Sequence, residues 1–196
     1  MEIWSGGSGI VRCHDSSFGA TEFNPGFGRG RFHPFPDSDG LAVPTLYGAS
    51  NLDGSLSESV FHNVPVRGRG KAILRSALRP MMVSTIAARR DLSLIQLHGH
   101  GLTRLGVSRA ELIDTEARHY ARTAAWAAAL HACLESADGL IWVSRRFDIS
   151  FALVLFGDRV LRSDLDVVDP PVPLFPDAGF AEIQRAAEAA GILIIE

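Results

Sequence analysis

Three side chains of complementary chemistry lie within residues 28–62 of the sequence. Arg31 follows the segment Gly28-Arg29-Gly30, Tyr47 ends an apolar run, and Glu58 lies in a Ser-Glu-Ser-Val-Phe-His segment. A guanidinium offers paired donors to a phosphate, an aromatic side chain holds a flat ring, and a carboxylate stabilises a developing cation. If the chain brings these groups together, they predict chemistry on a nucleotide.

Each of these residues also has an ordinary structural explanation. Arg31 fits a surface arginine after a turn, and Tyr47 fits a strand residue that packs on a sheet. Glu58 follows Ser55 at the spacing of a helix capping box, S-x-x-E, in which the carboxylate bonds the backbone N–H of the serine. The local pattern leaves both explanations open for all three residues.

Ser144 is a fourth candidate, at the end of the apolar run 140–144 and directly before Arg145 and Arg146. A serine at the end of a strand is most often a turn residue. In a cleft, however, its hydroxyl would donate to a phosphate.

Other motifs predict ligand sites less specifically. His98-Gly99-His100 offers two imidazoles to a metal, but no neighbouring cysteine or carboxylate cluster completes a site. Residues 66–71 resemble a basic nucleic-acid patch or part of a phosphate loop, yet they lack the G-x-x-x-x-G-K-[ST] spacing and interleaved aromatics, so we interpret them as a solvated loop. Gly26, Gly28 and Gly30 are not a dinucleotide-binding fingerprint, because no helix pattern follows them.

The apolar pattern predicts the elements that position these residues. Residues 1–40 are expected to form loops with one or two short strands, and 169–173 a proline-rich loop. Strands are predicted at 43–47, 81–88, 92–97, 140–144, 151–156 and 192–195, with a turn at 48–50. Helices are predicted at 55–62, from a capping box at Ser108 and Glu111 to about residue 134, and before a cap at Gly191. Strands and helices do not alternate regularly, which favours an α+β domain with a mixed or antiparallel sheet over a doubly wound parallel sheet.

Length and composition limit the classes of protein that fit. A chain of 196 residues with 46% hydrophobic residues fits one domain with a sizeable core. The net charge of −3 argues against a nucleic-acid binder, and two cysteines do not make a disulfide framework. The N-terminus lacks the features of a signal peptide, and no stretch reaches the roughly 20 apolar residues of a membrane span. We therefore expect a cytoplasmic protein without membrane contact.

In combination, the motifs resemble those of the RES domain family, named for its Arg, Glu and Ser. The resemblance covers nearly the whole chain in the expected order, so residues 1–196 are predicted to form a single RES domain. The matching segments are G-R-F-H-P-F at 30–35, L-Y-G-A-S at 46–50, S-E-S-V-F-H at 57–62, D-G-L-I-W-V-S-R-R at 138–146 and A-L-V-L-F-G-D-R at 152–159.

The resemblance implies a fold, an activity and partners. RES proteins share the ADP-ribosyltransferase-like fold, an α+β architecture with a mixed β-sheet core and flanking helices. They are typically toxins of bacterial toxin–antitoxin pairs. They consume NAD by cleaving its nicotinamide–ribose bond, with phosphate or water as acceptor, and so act as NAD phosphorylases or NADases. The implied partner is an Xre-type antitoxin, through which alone the chain would meet nucleic acid, and the family also suggests a homodimer.

By resemblance, Arg31 and Glu58 are the catalytic residues, and Tyr47 and Ser144 join them in binding NAD. Glu58 would hold the ribose and stabilise its cation, Arg31 would bind the pyrophosphate or an incoming phosphate, Tyr47 would stack on the nicotinamide, and Ser144 would donate to a phosphate. NAD is then the substrate and inorganic phosphate a candidate co-substrate. No metal is required, because the leaving group is already cationic and departs neutral.

Two alternatives remain open at this point. The first is a protein ADP-ribosyltransferase, which uses the same chemistry on a protein acceptor. The second is a non-catalytic interaction protein of the same fold. The enzyme hypothesis fails if Arg31, Glu58 and Ser144 do not share one cleft.

Overall fold

The computed structural model describes residues 1–65, 70–176 and 179–196, and a mixed β-sheet forms its centre. Within those residues the strands are β1 (Glu2–Trp4), β2 (Gly9–Asp15), β3 (Thr45–Ala49), β4 (Ala72–Leu74), β5 (Met81–Ala88), β6 (Leu92–Gln96), β7 (Gly139–Val143), β8 (Phe151–Phe156), β9 (Leu165–Pro173) and β10 (Leu193–Ile195). The helices are α1 (Leu52–Glu58), α2 (His100–Leu105), α3 (Arg109–Leu112), α4 (Tyr120–Cys133) and α5 (Gly179–Ala189), with short 3-10 segments at Arg75–Ala77, Ala117–His119 and Arg162–Asp164. None of the helices in these ranges is long and apolar enough to cross a membrane.

The main sheet combines one parallel strand pair with antiparallel neighbours. Among the described residues its order is β1-β6-β7-β8-β3-β2-β5-β9. Strands β6 and β7 run parallel, and the other neighbours run antiparallel. Strands β4 and β10 pair in parallel as a separate small sheet. The expectation of an α+β domain with a mixed sheet is confirmed.

Strand β8 brings the carboxyl ends of two other strands together. Its pairing with β3 sets Ala49 opposite Ala152, and its pairing with β7 sets Val143 opposite Phe151. Both β3 and β7 therefore end beside the start of β8. Since α1 follows β3 and Ser144 follows β7, the register of the sheet places the start of α1 and Ser144 close together, beside the start of β8.

Side chains that alternate along the strands divide the apolar core into layers on the two faces of the sheet. On one face, Trp142 and Val154 belong to a cluster that includes Phe32 and residues of α4. On the other face, Ile141 and Leu153 belong to a second cluster. A third cluster joins α1, α5 and the small sheet, and includes Leu56, Ile73, Ile183 and Ile192.

Most predicted strands occur where the apolar pattern placed them. Strands β5 and β8 have the predicted bounds, and β6, β7 and β10 differ from theirs by one residue at one or both ends. The capping box of Ser108 and Glu111 is confirmed at the start of α3. In residues 1–40 the structure has the two short strands β1 and β2, as expected.

The predicted capping box of Ser55 and Glu58 is wrong. Helix α1 begins three residues earlier, and its cap is Asn51, whose side-chain oxygen accepts from the N–H of Gly54 at 2.8 Å. The hydroxyl of Ser55 instead accepts from the backbone N–H of Cys13 at 2.8 Å. Glu58 is consequently the last residue of α1, and its carboxylate takes no part in starting the helix.

Two loop predictions are also wrong. The proline-rich segment 169–173 continues β9, which lies at the edge of the main sheet. An edge strand tolerates proline because its outer side needs no backbone N–H donors. The turn predicted at 48–50 begins later, since β3 continues through Gly48 and Ala49. Gly48 allows a close approach there, because a Cβ at this position would lie 2.3 Å from Cγ2 of Ile10.

Candidate active site

The carboxylate of Glu58 is the centre of a hydrogen-bonded cluster that joins three distant parts of the chain. Its Oε2 accepts from Nη1 of Arg31 at 3.0 Å. Its Oε1 accepts from Oγ of Ser144 at 2.8 Å and from the backbone N–H of Arg145 at 3.0 Å. Three residues that the sequence singled out are therefore in direct contact, and we call Arg31, Glu58 and Ser144 the Arg–Glu–Ser cluster.

Contacts on both sides of Arg31 fix its position. The next residue, Phe32, packs edge-on against Trp142 with ring centroids 5.1 Å apart, and its N–H donates to the hydroxyl of Tyr47 at 3.0 Å. The carbonyl of Arg31 accepts from the hydroxyl of Thr123 on α4. Arg31 is only 3% exposed. Its explanation as a surface arginine after a turn is therefore wrong.

The guanidinium of Arg31 has donors to spare. Within residues 1–65, 70–176 and 179–196, its buried Nε and Nη2 atoms have no hydrogen-bond partner. A buried donor left unpaired costs about 1–3 kcal/mol, and more when it is charged. An anion bound beside Arg31 would satisfy these N–H groups, which makes this side of the cluster a candidate anion site.

Ser144 is held by its backbone, so that its hydroxyl is directed at Glu58. Its N–H donates to the carbonyl of Ser150 at 2.8 Å, and its carbonyl accepts from Nη2 of Arg109 at 3.1 Å. The residue is fully buried. Ser144 is thus both a residue that closes the connection from β7 to β8 and a member of the cluster.

The pKa of Glu58 lies below the ordinary value for a glutamate. Burial by itself would raise the pKa, because desolvation penalises the charged form. The Arg31 guanidinium, together with the hydrogen bonds from the N–H of Arg145 and the hydroxyl of Ser144, outweighs the effect of burial. Glu58 is therefore an ionised carboxylate whose side chain is only 10% exposed.

Tyr47 lies beside the cluster and supports it. Its ring packs edge-on against Trp142 with centroids 6.2 Å apart, and its hydroxyl accepts from the N–H of Phe32. Burial raises the pKa of Tyr47 far above its usual value, so the hydroxyl stays protonated. These contacts anchor the turn that carries Arg31, and the stacking role on a ligand ring stays a prediction.

Two cavities are lined by sequence neighbours of the cluster, although Arg31, Glu58 and Ser144 themselves line neither of them. One of about 500 Å³ is lined by Ser57, the neighbour of Glu58, and by Arg145. Another of about 290 Å³ is lined by Arg29 and His33, which stand on either side of Arg31, and by Tyr120. The first volume is within the range of small-molecule sites, about 300–1,000 Å³, and the second is close to its lower end. A buried cation, an ionised carboxylate and adjoining cavities together fit an anionic ligand that develops positive charge during a reaction.

Comparison with known protein families decides what kind of domain this is. Residues 10–177 match the RES domain. The chain belongs to the RES domain family. No curated protein matches the chain.

The fold of this RES domain occurs in a solved structure. A chain in the crystal structure of the M. tuberculosis MbcT–MbcA toxin–antitoxin complex superposes with a TM-score of 0.61. The two sequences are 18% identical, and the similarity covers 93% of this chain and 90% of that chain. The expected ADP-ribosyltransferase-like α+β architecture, a mixed sheet with flanking helices, is confirmed.

The RES domain holds the cluster with residues that sequence reasoning missed. In the sequence Arg145 stands out only as the neighbour of Ser144, yet its backbone N–H is one of the donors to Glu58. Thr123 binds the carbonyl of Arg31 from 92 positions away, and nothing in the local sequence marks it. A signal for Arg145 existed, because it directly follows the serine in one of the matching segments.

A second layer of polar contacts surrounds the cluster. The hydroxyl of Tyr120 contacts Nε2 of His62 at 2.7 Å, and Nη2 of Arg146 donates to the carbonyl of His62 at 2.8 Å. Burial lowers the pKa of His62, which favours its neutral form. His62 therefore joins the turn that follows α1 to Tyr120 at the start of α4.

The weaker motifs contribute less to the site. Nε2 of His98 lies 2.7 Å from a carboxylate oxygen of Glu2. In the part of the chain that the structure describes, no group of three or more His, Cys, Asp or Glu residues is arranged to hold a metal ion. Of the basic segment 66–71, residues 66–69 lie outside the described residues, and Lys71 lines the larger cavity.

Proposed function

We propose that this RES domain is the toxin of a toxin–antitoxin pair and that it consumes NAD by breaking the nicotinamide–ribose bond. The observation that supports this most strongly is the Arg–Glu–Ser cluster, in which an ionised Glu58 and a buried Arg31 with unpaired donors lie beside a cavity. Two of the four structural explanations, a surface Arg31 and a capping Glu58, do not apply to this fold, whereas Tyr47 does pack within a strand and Ser144 does follow the end of one.

The chemistry requires one bond to break and one to form. When the bond between C1′ of the ribose and the pyridinium nitrogen breaks, its electron pair goes to the nitrogen, and nicotinamide departs neutral. Positive charge then develops on C1′ and the ring oxygen, where a carboxylate stabilises it. An oxygen of phosphate or water forms the new bond to C1′, and an attacking water loses its proton to solvent.

Each cluster residue has a separate role in this proposal. Glu58 binds the ribose and stabilises its cation, which demands the ionised form that its lowered pKa favours. The unpaired Nε and Nη2 donors of Arg31 bind an anionic oxygen of the pyrophosphate or of the incoming phosphate. Ser144 orients Glu58 by donating its single hydroxyl proton to Oε1, and it would have to give up that hydrogen bond to donate to a phosphate. Tyr47 holds the turn of Arg31 and packs against the nicotinamide. No step draws on a metal.

The proposal also includes a partner protein, a cellular location and the number of copies in the assembly. Membership of the RES family and the fold shared with a chain of a toxin–antitoxin complex support an antitoxin as the partner. We extend this to an Xre-type antitoxin, a cytoplasmic location and a homodimer. Co-purification of the chain with the product of an adjacent reading frame, followed by light scattering, tests the partner and the number of copies.

The test of the enzymatic proposal is release of nicotinamide from NAD by the purified chain, followed by liquid chromatography. The wild type should release nicotinamide, and Glu58→Gln should reduce the rate at least about 100-fold. Glu135→Gln makes the same chemical change at an exposed position outside the cluster and serves as the matched control. A wild-type rate no faster than that of Glu58→Gln would refute the proposal.

The same assay, run with and without phosphate in the buffer, identifies the acceptor of the ADP-ribosyl group. If phosphate is the acceptor, its omission stops nicotinamide release, whereas hydrolysis continues in phosphate-free buffer. If the label from NAD appears on a protein and not in small products, the activity is protein ADP-ribosylation and not NAD degradation.

A further inference from the structure

The larger cavity has a mixed wall that is suited to a particular part of a dinucleotide. Part of the wall is apolar and comes from Phe61, from Ala186 and Ala189 on α5, and from Ile192. The polar lining residues include Arg145 and Arg146, which directly follow Ser144 of the Arg–Glu–Ser cluster. The same cavity therefore offers contacts both to a flat apolar ring and to a charged group.

The polar side of this cavity is strongly cationic. Its lining includes Lys71, Arg145, Arg146 and Arg185 against the single carboxylate of Asp53, among the residues that the structure describes. Asp53 is paired with Arg185 at 3.1 Å, which leaves an excess of positive charge on the other three. Cations gathered on one concave surface attract anions, and phosphate oxygens suit guanidinium groups best.

Among the described residues, no carboxylate forms an ion pair with Arg146, and its Nη2 donates to the carbonyl of His62. Within residues 1–65, 70–176 and 179–196, its buried Nε has no hydrogen-bond partner. Burial, and then the neighbouring charge of Arg145, lower the pKa of Arg146. A bound anion would relieve both the desolvation and the repulsion.

The cationic side begins at the cluster. The backbone N–H of Arg145 donates to Glu58, and the same residue is among those that line the cavity. Its Nη1 donates to the carbonyl of Thr115 at 3.2 Å. Asp53 and Ser57 lie one turn apart on the face of α1 that lines the cavity, and Glu58 is the next residue. A ligand with its phosphates on Arg145 and Arg146 would therefore place the adjoining ribose at Glu58.

We propose that this cavity binds the adenosine diphosphate half of the dinucleotide, with the diphosphate on Arg145 and Arg146 and the adenosine against α5. The proposal rests on the proposed function for the identity of the substrate. The RES match ends at residue 177, so α5, which begins at Gly179, lies outside the residues that the family model matches. Arg185 is held by Asp53 and fixes α5 against α1, so that the apolar side of α5 faces the ligand.

Calorimetric titration with adenosine diphosphate, which lacks the scissile bond, tests this assignment without any turnover. The wild type should bind adenosine diphosphate at least about tenfold more tightly than adenosine, because the diphosphate meets the cations. Ala189→Glu places a carboxylate in the wall of the cavity and should weaken adenosine diphosphate binding at least about tenfold. Gln184→Glu adds the same charge to α5 at an exposed position outside the lining and should change affinity less than about twofold.

A second pair of variants guards against a folding effect of Ala189→Glu. Arg185→Ala removes a half-exposed side chain that lines the cavity, and Arg104→Ala removes an exposed arginine on α2. Only the first should weaken adenosine diphosphate binding. Equal affinity of wild type, Ala189→Glu and Arg185→Ala, or no binding to the wild type, would overturn the assignment. Nicotinamide release would then still decide the proposed function independently.

Discussion

Removing one partner of the buried Arg31–Glu58 pair should cost more stability per change than removing both. The perturbation is a double-mutant cycle of Arg31→Met, Glu58→Gln and the combined variant. In Glu58→Gln, the amide oxygen can still accept from Ser144 and Arg145, but the amide nitrogen then faces the donors of Arg31. The guanidinium would be left buried with neither a counter-charge nor an acceptor.

The magnitude follows from the geometry of the pair. The atoms Nη1 and Oε2 are 3.0 Å apart, and the side chains are 2% and 10% exposed. At an effective dielectric constant of about 20, the attraction is about 5 kcal/mol, and desolvation of the two charges offsets much of it. Loss of one partner leaves the other charge uncompensated, at a cost of about 3–5 kcal/mol. The combined variant removes both charges and should cost about 2 kcal/mol less than the sum of the single changes.

Thermal and urea unfolding of the four proteins give the assay. For a chain of this size, 1 kcal/mol shifts the midpoint by about 2–4 °C, so each single variant should melt about 6–20 °C below the wild type. The combined variant should melt well above the temperature that additivity predicts. Additive free energies of unfolding, within about 0.5 kcal/mol, would refute the idea that this pair is a coupled buried unit.

Three further predictions concern the residues around the pair. Ser144→Ala removes one of the two hydrogen bonds to Oε1 of Glu58 and should lower the free energy of unfolding by about 1.5–3 kcal/mol in urea titrations; an unchanged value would contradict its donor role. Because the pKa of Glu58 is lowered in the folded state, the stability that the pair contributes should be complete above about pH 4.5, its ordinary value, and should be lost as the pH falls through the folded-state pKa. The stability gap between the wild type and the combined variant should therefore shrink in acid, and a constant gap from about pH 7 to 3 would argue against an ionised Glu58. Asn51→Ala should lower the thermal midpoint by about 2–4 °C, because a side-chain helix cap contributes about 1 kcal/mol, and no change would show that α1 needs no cap from Asn51.

The strands were the part of the fold that could be predicted best from the sequence. Residues 151–156 form a continuous apolar run, which a strand buried at the centre of a sheet demands. Residues 81–88 are apolar except for Ser84 and Thr85, and both of these also favour or tolerate a strand. The order of the strands could not be predicted in the same way, since strand pairing depends on contacts between residues far apart in the chain. The parallel pairing of β6 with β7, for example, joins segments that are separated by α2, α3 and α4.

The wrong predictions share one cause, which is that residues distant in the sequence decide the hydrogen bonds and the strand position of the segment. Ser55 and Glu58 satisfy the spacing of a capping box, but Asn51 offers a cap four residues before Ser55. The hydroxyl of Ser55 instead accepts a hydrogen bond from Cys13 on β2. The prolines at 170 and 171 exclude a central strand but not an edge strand, and only the sheet order reveals that β9 is an edge. A local pattern states what a residue can do, and the tertiary neighbours select among the options.

The sequence by itself determined the chemical groups of this RES domain: an arginine, a glutamate and a serine in the family's order, and enough apolar strands for an α+β core. Only the tertiary structure decided that Glu58 contacts Ser144, 86 positions away, and that Arg31 is buried against it. The physical reason is that the contact depends on the register of β3 and β7 against β8. None of the three cluster residues determines that register. The same packing removes water from the cluster, and this turns two ordinary side chains into a strongly coupled charge pair.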